Sequence, residues 1–181
     1  MRRWTRQPAT RGRARGCCAF TLVELVVVIV IMAVMAVVAL PAMSSAAGTR
    51  TAVAANQIRR DLGYARERTL ATGIRAWVVF SPGTNSYSVL EEPIGNPGRS
   101  NALTMTDPVT GRTFAQSLSA PEFAGTVLVS AVFDSGSEVG FDWKGRPLNA
   151  TGALLAAQGV VTLSGGRTVT VKAGSGLADT P

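Results

Sequence analysis

From Phe20 to Leu40 the chain carries Leu, Val, Ile, Ala and Met on every side of a helix drawn through it, with Glu24 as the only charge. At about 1.5 Å per residue the run is about 31 Å long, the thickness of a hydrocarbon core, so it predicts the transmembrane part of a first helix. The pattern then becomes one-sided. Ala54, Ala55, Ile58, Leu62, Ala65 and Thr69 recur at helical spacing, with Asn56, Arg60 and Glu67 opposite, which predicts an amphipathic second part over 41–72. Gly73 supplies the stop, because glycine accepts the left-handed conformation that closes a helix. Pro41 and Gly48 allow a bend without forcing an end; two helices broken between them are the alternative.

Beyond Ile74 the period turns strand-like. Arg75 to Phe80 and Tyr87 to Leu90 read as a hairpin around the turn residues Ser81 to Asn85. Residues 91–121 hold Pro93, Gly95, Pro97, Gly98, Pro108 and Gly111, which predicts a long loop with one short strand near 112–115. Strand patterns return at 126–133 and 139–143, the second closed by Lys144 to Pro147. Near the end Val161 and Leu163 alternate with Thr162, and Val169 and Val171 with Thr168 and Thr170. A three-residue loop of Gly165, Gly166 and Arg167 keeps the valines on one face, setting Leu163 opposite Val169 and Val161 opposite Val171. The fold class expected is α+β: a long N-terminal helix on an antiparallel sheet or sandwich head over 74–175, with 176–181 as a flexible tail. No repeat of 20–50 residues interrupts it.

Charge changes the picture. The net charge of +7 and the pI of about 10.7 suggest a nucleic-acid binder, yet Arg2, Arg3, Arg6, Arg11, Arg13 and Arg15 all precede Phe20 with no acidic residue among them. From Phe20 onward the remaining basic side chains nearly balance the 11 acids. Residues 1–19 therefore read as a basic leader that is removed and that holds the N-terminus in the cytoplasm, rather than as a nucleic-acid arm. The rival is a secretory signal cut after Ser45-Ala46-Ala47, but the apolar segment exceeds the usual 7–15 residues and leaves Glu24 without a purpose. Arg2-Arg3 is followed by polar residues, unlike a twin-arginine signal. Cys17 and Cys18 have no apolar stretch before them and both lie in the leader, so no disulfide or thiolate metal site is expected in the rest.

Glu24 calls for a partner. A carboxylate at a bilayer centre costs about 2.5–3.5 kcal/mol on insertion scales, and a cationic amine is similarly expensive; together they neutralise. A cut before Phe20 would create that amine. Paired between subunits, the two charges would set an axial register as a buried polar residue does in a coiled coil. The plain alternative is that Glu24 reaches back to the cytoplasmic interface.

Ala19 followed by Phe20-Thr21-Leu22-Val23-Glu24 and a long apolar helix resembles the cleavage and methylation motif of type IV prepilins and type II secretion pseudopilins. The resemblance implies cleavage between Ala19 and Phe20 by a prepilin peptidase that methylates the new Phe20 amine. It also implies an assembly role for Glu24 and matches Pro41 to a proline common in these helices. The family usually has glycine before the cut, where this chain has Ala19. The segment from Asn56 to Arg68 leading into Trp77-Val78-Val79-Phe80, and the turn Phe141 to Pro147, resemble the H-type minor pseudopilins and related FimT/FimU minor pilins (GspH/FimT family). This second resemblance implies a low-abundance structural subunit of a periplasmic pseudopilus, anchored by one pass in the inner membrane with its head in the periplasm. Its partners would be other minor and major pseudopilins, the prepilin peptidase/methyltransferase and the inner-membrane assembly platform. The alternative is a FimT/FimU-like subunit in type IV pilus assembly or DNA uptake; the C-terminus from Lys172 to Asp179 lacks that branch's arginines, so nucleic acid is not an expected partner.

Catalysis has little to work with. There is no histidine, which removes the usual base for serine nucleophiles and every HExxH zinc site. Glu91-Glu92 beside Pro93 reads as a solvated pair, and Asp134, Glu138 and Asp142 miss the spacing of a calcium loop. Gly165-Gly166-Arg167 joins strands and opens no helix, so it is no phosphate loop. No enzyme activity, metal or cofactor is expected.

Overall fold

The computed structural model describes residues 21–180 except Ser135, and for residues 37–47 the backbone alone. The chain divides into two compact units, Met1–Pro41 and Ala42–Pro181. Helix α1, Leu22–Thr72, includes Pro41. The expected leader, 1–19, and Phe20 lie outside the described residues. Among the described residues no helix is long and apolar enough to cross a membrane; the span expected over 20–40 begins and ends in residues whose side chains are not described.

In the second unit α1 buries the face its spacing foretold: Ala54, Ala55, Ile58, Leu62, Ala65 and Thr69 are all inside, while Asn56, Arg60 and Glu67 are exposed. Thr69 is buried because its hydroxyl is used twice, donating to Ala65 O at 2.9 Å and accepting from Ala76 N at 3.2 Å. It thereby ties the helix to the first strand. Gly73, at φ +72°, donates its N–H to Thr69 O at 2.8 Å and ends the helix in the left-handed conformation.

Ten strands follow: β1 (Ala76–Ser81), β2 (Ser86–Glu91), β3 (Leu103–Thr104), β4 (Ala115–Ser117), β5 (Leu128–Val132), β6 (Glu138–Phe141), β7 (Pro147–Leu148), β8 (Gly159–Leu163), β9 (Thr168–Val171) and β10 (Ala178–Asp179). One sheet runs β3-β2-β1-β6-β7 with β4 also beside β2, the other β10-β9-β8-β5. The named pairings are antiparallel. The core gathers the α1 face and the inner faces of both sheets, with Phe80 stacked on Phe133 at 5.7 Å and tilted against Tyr87 at 5.6 Å.

Asn85 joins the two sheets. It ends the β1–β2 turn at φ +51°, and its carboxamide accepts from Leu128 N at 2.7 Å and donates to Thr126 O at 2.9 Å. The side chain thus does at the start of β5 what a neighbouring strand would do, closing part of an open edge.

Four expectations are corrected. Residues 91–121 hold two short strands where one was expected: β3 and β4 pair with β2, and Thr106 bridges Thr113. Glu92 is no solvated acid but lies buried, accepting from Trp77 Nε1 at 2.9 Å and Gly98 N at 2.9 Å; the segment after β2 covers the face of β1 that Trp77 occupies. The β8–β9 connection is Ser164 to Arg167, four residues where three were expected, and Val161 faces Val169 and Gly159 faces Val171. Ser164 leaves the ladder because its backbone N–H bonds Val127 O and its hydroxyl accepts from Val127 N, drawing it to β5. The tail is not free either, since Ala178 and Asp179 pair with Val171 and Thr170.

Two glycines are demanded by close packing. A Cβ on Gly159 would lie 2.1 Å from Phe133 Cδ1, and one on Gly140 2.6 Å from Trp77 Cε3. Gly159→Ala and Gly140→Ala should each cost about 1–3 kcal/mol, read as a lower urea midpoint. Gly63, on α1 with open space around it, should tolerate alanine with no loss. Equal midpoints for all three variants would show that the rings move aside freely.

Candidate functional site

Of the residues expected to carry assembly chemistry, Glu24 is the one whose side chain is described, and it lies in the first turn of α1. Thr21 precedes the first helical residue, and its Oγ1 accepts from Glu24 N at 3.2 Å while Leu25 N donates to Thr21 O at 3.1 Å. Thr21 is therefore the N-cap and Glu24 the third helical residue, the order Thr-x-x-Glu of a capping box. The Thr-x-x-Glu order is a local signal for this cap. The cap places the Glu24 carboxylate in the first turn, where the partial positive charge of the helix start favours it. Ala19 and Phe20 lie outside the described residues, and Pro41 is described by its backbone alone. From Leu22 (79% exposed) to Met35 the large apolar side chains are all open to the surroundings.

In the head, one flank of α1 lines a groove of about 460 Å³ with Asp61, Tyr64, Asp107, Phe114, Glu122 and Phe123 among its walls. Asp61 is buried and receives hydrogen bonds from Tyr87 Oη and Gln57 Nε2 at 2.9 Å; Arg60 in turn donates to Gln57 Oε1 at 2.6 Å. Burial raises the pKa of Asp61 despite these donors. Burial also raises that of the Tyr87 hydroxyl, reinforced by the Asp61 charge. Asp107 is held below the usual carboxylate range by the Val109 N–H and the Thr110 hydroxyl.

The other flank carries the turn Asp142 to Arg146. Asp142 Oδ1 accepts from Lys144 N at 3.0 Å and Arg146 N at 2.8 Å, and Oδ2 pairs with the Arg146 guanidinium at 2.7 Å. Gly145, at φ +72°, closes the turn through its N–H to Asp142 O. Arg66 of α1 then clamps it, donating from Nε to Gly145 O at 3.1 Å and Ser175 O at 2.9 Å. Burial pushes the Asp142 carboxyl up, but the bonds from Arg146 and from the Lys144 N–H outweigh it and hold the group below 3.8. The residues considered for calcium do not converge. Asp134 binds the Asn149 side chain and the N–H groups of Ala156 and Ala157, Glu138 pairs with Arg99, and Asp142 with Arg146. Among the described residues no cluster fit to hold a metal ion occurs. The arrangement commits carboxylates to scaffolding and presents surfaces for contact.

Residues 14–40 match the prokaryotic N-terminal methylation motif. The fold is that of a pilin-like α+β protein. One structure of the minor pseudopilin EpsH from the type II secretion system of Vibrio cholerae covers 72% of this chain and 94% of its own, at 11% identity and a TM-score of 0.53. A second structure of the same pseudopilin covers 74% and 96%, at 11% identity and a TM-score of 0.54. No curated protein sequence matches the chain.

The Asp142 turn gives a prediction with a sign. Because its folded pKa is depressed, the stability it contributes is present above the ordinary 3.8 and is lost as pH falls through the folded value. Asp142→Asn should cost on the order of 1–3 kcal/mol at pH 7, and its unfolding midpoint should converge with that of the wild type as pH falls below 3.8. A gap independent of pH would assign the loss to packing instead.

Proposed function

We propose that this chain is a minor pseudopilin, a structural subunit of the periplasmic pseudopilus in type II protein secretion. Its precursor is cut between Ala19 and Phe20, methylated on the Phe20 amine, and held by a single pass in the inner membrane with the N-terminus cytoplasmic and the head periplasmic. The observation that carries the reading is a coincidence in one chain: a methylation motif over residues 14–40, and a helix-on-sheets head that EpsH shares across nearly its whole length. The cap at Thr21 adds a physical reason for the cut to fall before Phe20. It leaves the new amine next to the N-cap, within a turn of the Glu24 carboxylate. Other pseudopilins, the peptidase and the assembly platform are the partners this role requires.

N-terminal sequencing of protein extracted from membranes should begin at N-methylated Phe20; a start at Met1 or after Ala47 would overturn the processing. Glu24→Ala should be processed and membrane-bound yet absent from assembled pseudopili, with export of the folded substrate enzyme blocked. Incorporation at the wild-type level would remove Glu24 from assembly, and unchanged export after deletion of the chain would exclude a secretion role.

A further inference from the structure

Trp143 is an unusual side chain to leave in water. It is 62% exposed at the tip of the Asp142–Arg146 turn, and that turn is fixed from three directions by Asp142, Gly145 and Arg66. The Lys144 ammonium lies 4.5 Å over the indole. Leu70, 45% exposed, adjoins Gly145. Among the described residues neither Lys144 nor Arg66 is paired with a carboxylate, whereas Arg146 neutralises Asp142. The result is a rigid apolar knob with net positive charge, the residue type and preorganisation of an interface anchor.

The same head carries its complement. The 460 Å³ groove has aromatic walls in Tyr64, Phe114 and Phe123 and three acids, Asp61, Asp107 and Glu122, against one cation, Arg60, which is engaged by Gln57. Its volume lies in the range, about 300–1,000 Å³, that takes a group the size of an indole. Val109, at 89% exposure, extends its apolar rim. The two surfaces cannot meet within one head. At about 100° per residue, Gln57, Arg60, Asp61 and Tyr64 lie on one side of the exposed ridge of α1, and Arg66 and Leu70 on the other.

We propose that the Trp143–Lys144 knob of one head docks into the Asp107–Glu122 groove of a second copy of this chain. The occupant is chosen by charge and shape: a basic aromatic knob and an acidic aromatic groove coexist on opposite flanks of one helix. Such a contact uses different surfaces on the two copies, so it is heterologous. A single knob buries less than the roughly 1,200 Å² of a stable complex, so the contact is weak between free molecules and strengthens when the heads are held close. It does not depend on processing at Ala19.

The test uses the full chain in detergent. With p-benzoylphenylalanine in place of Trp143, irradiation should give dimers whose crosslinked peptides lie within 57–64 or 107–123. Lys144→Glu and Glu122→Lys, both at exposed positions, should each lower recovery of tagged with untagged copies about tenfold, the effect of about 1.4 kcal/mol. Mixing the two variants should restore it, because the intact knob of the Glu122→Lys copy meets the intact groove of the Lys144→Glu copy. Crosslinks elsewhere on the second copy, capture of other proteins alone, or a mixture as weak as the single variants would each overturn the proposal.

Discussion

Twelve large apolar side chains between Leu22 and Met35 are exposed on the first turns of α1, and the rest of the molecule has to be understood around that fact. Burying one such side chain is worth about 1.5–3 kcal/mol, so leaving all of them in water forfeits roughly 20–35 kcal/mol. The net stability of an entire domain is only about 5–15 kcal/mol. No adjustment within the head offsets a deficit of that size. The start of the helix therefore has to be covered by apolar surroundings that the head does not provide.

The head, by contrast, is self-sufficient. Among the described residues no buried side-chain nitrogen or oxygen lacks a hydrogen-bond partner, and the carboxylates that could be mistaken for catalytic groups are each consumed. Asp61 meets Tyr87 and Gln57, Glu92 meets Trp77 and Gly98, and Asp142 holds its own turn. A catalytic acid is kept at an intermediate degree of satisfaction so that a proton can move; these are fully engaged by fixed donors. Such a network makes a rigid platform on which exposed groups such as Trp143 keep a defined direction.

The helix was legible because both of its signals are local. The spacing of Ala54, Ile58, Leu62 and Ala65 needs only the 3.6-residue period, and Gly73 needs only its lack of a Cβ. The β1–β2 hairpin was legible for the same reason. The errors have a common physical origin, in that a tertiary partner overrode the local pattern. Pro93, Pro97 and Gly98 mark a loop correctly, but nothing nearby in sequence reveals that Glu92 turns inward to meet the Trp77 indole. Ser164 looked like the last residue of a strand until β5 drew it aside, which moved the β8–β9 register by two residues while keeping every valine on its face. The tail residues Ala178 and Asp179 have little strand propensity and pair only because β9 presents an open edge. At the helix start the signal is local again: Thr21-Leu22-Val23-Glu24 has the order of a capping box.

That box changes the energetics of the glutamate. Interaction with the helix dipole is worth about 0.3–1 kcal/mol at an N-terminus, and the Thr21 cap stabilises the turn whether or not Glu24 is charged. The cost of a carboxylate in a bilayer centre is about 2.5–3.5 kcal/mol. That figure applies at the centre of a span, and Glu24, in the first turn of α1, meets only part of it. A cationic amine nearby would offset that part, because its attraction grows as the dielectric falls. Under the proposed cut before Phe20, the freed amine would stand one residue before Thr21 in sequence and would be a partner for Glu24 of its own or of a neighbouring chain.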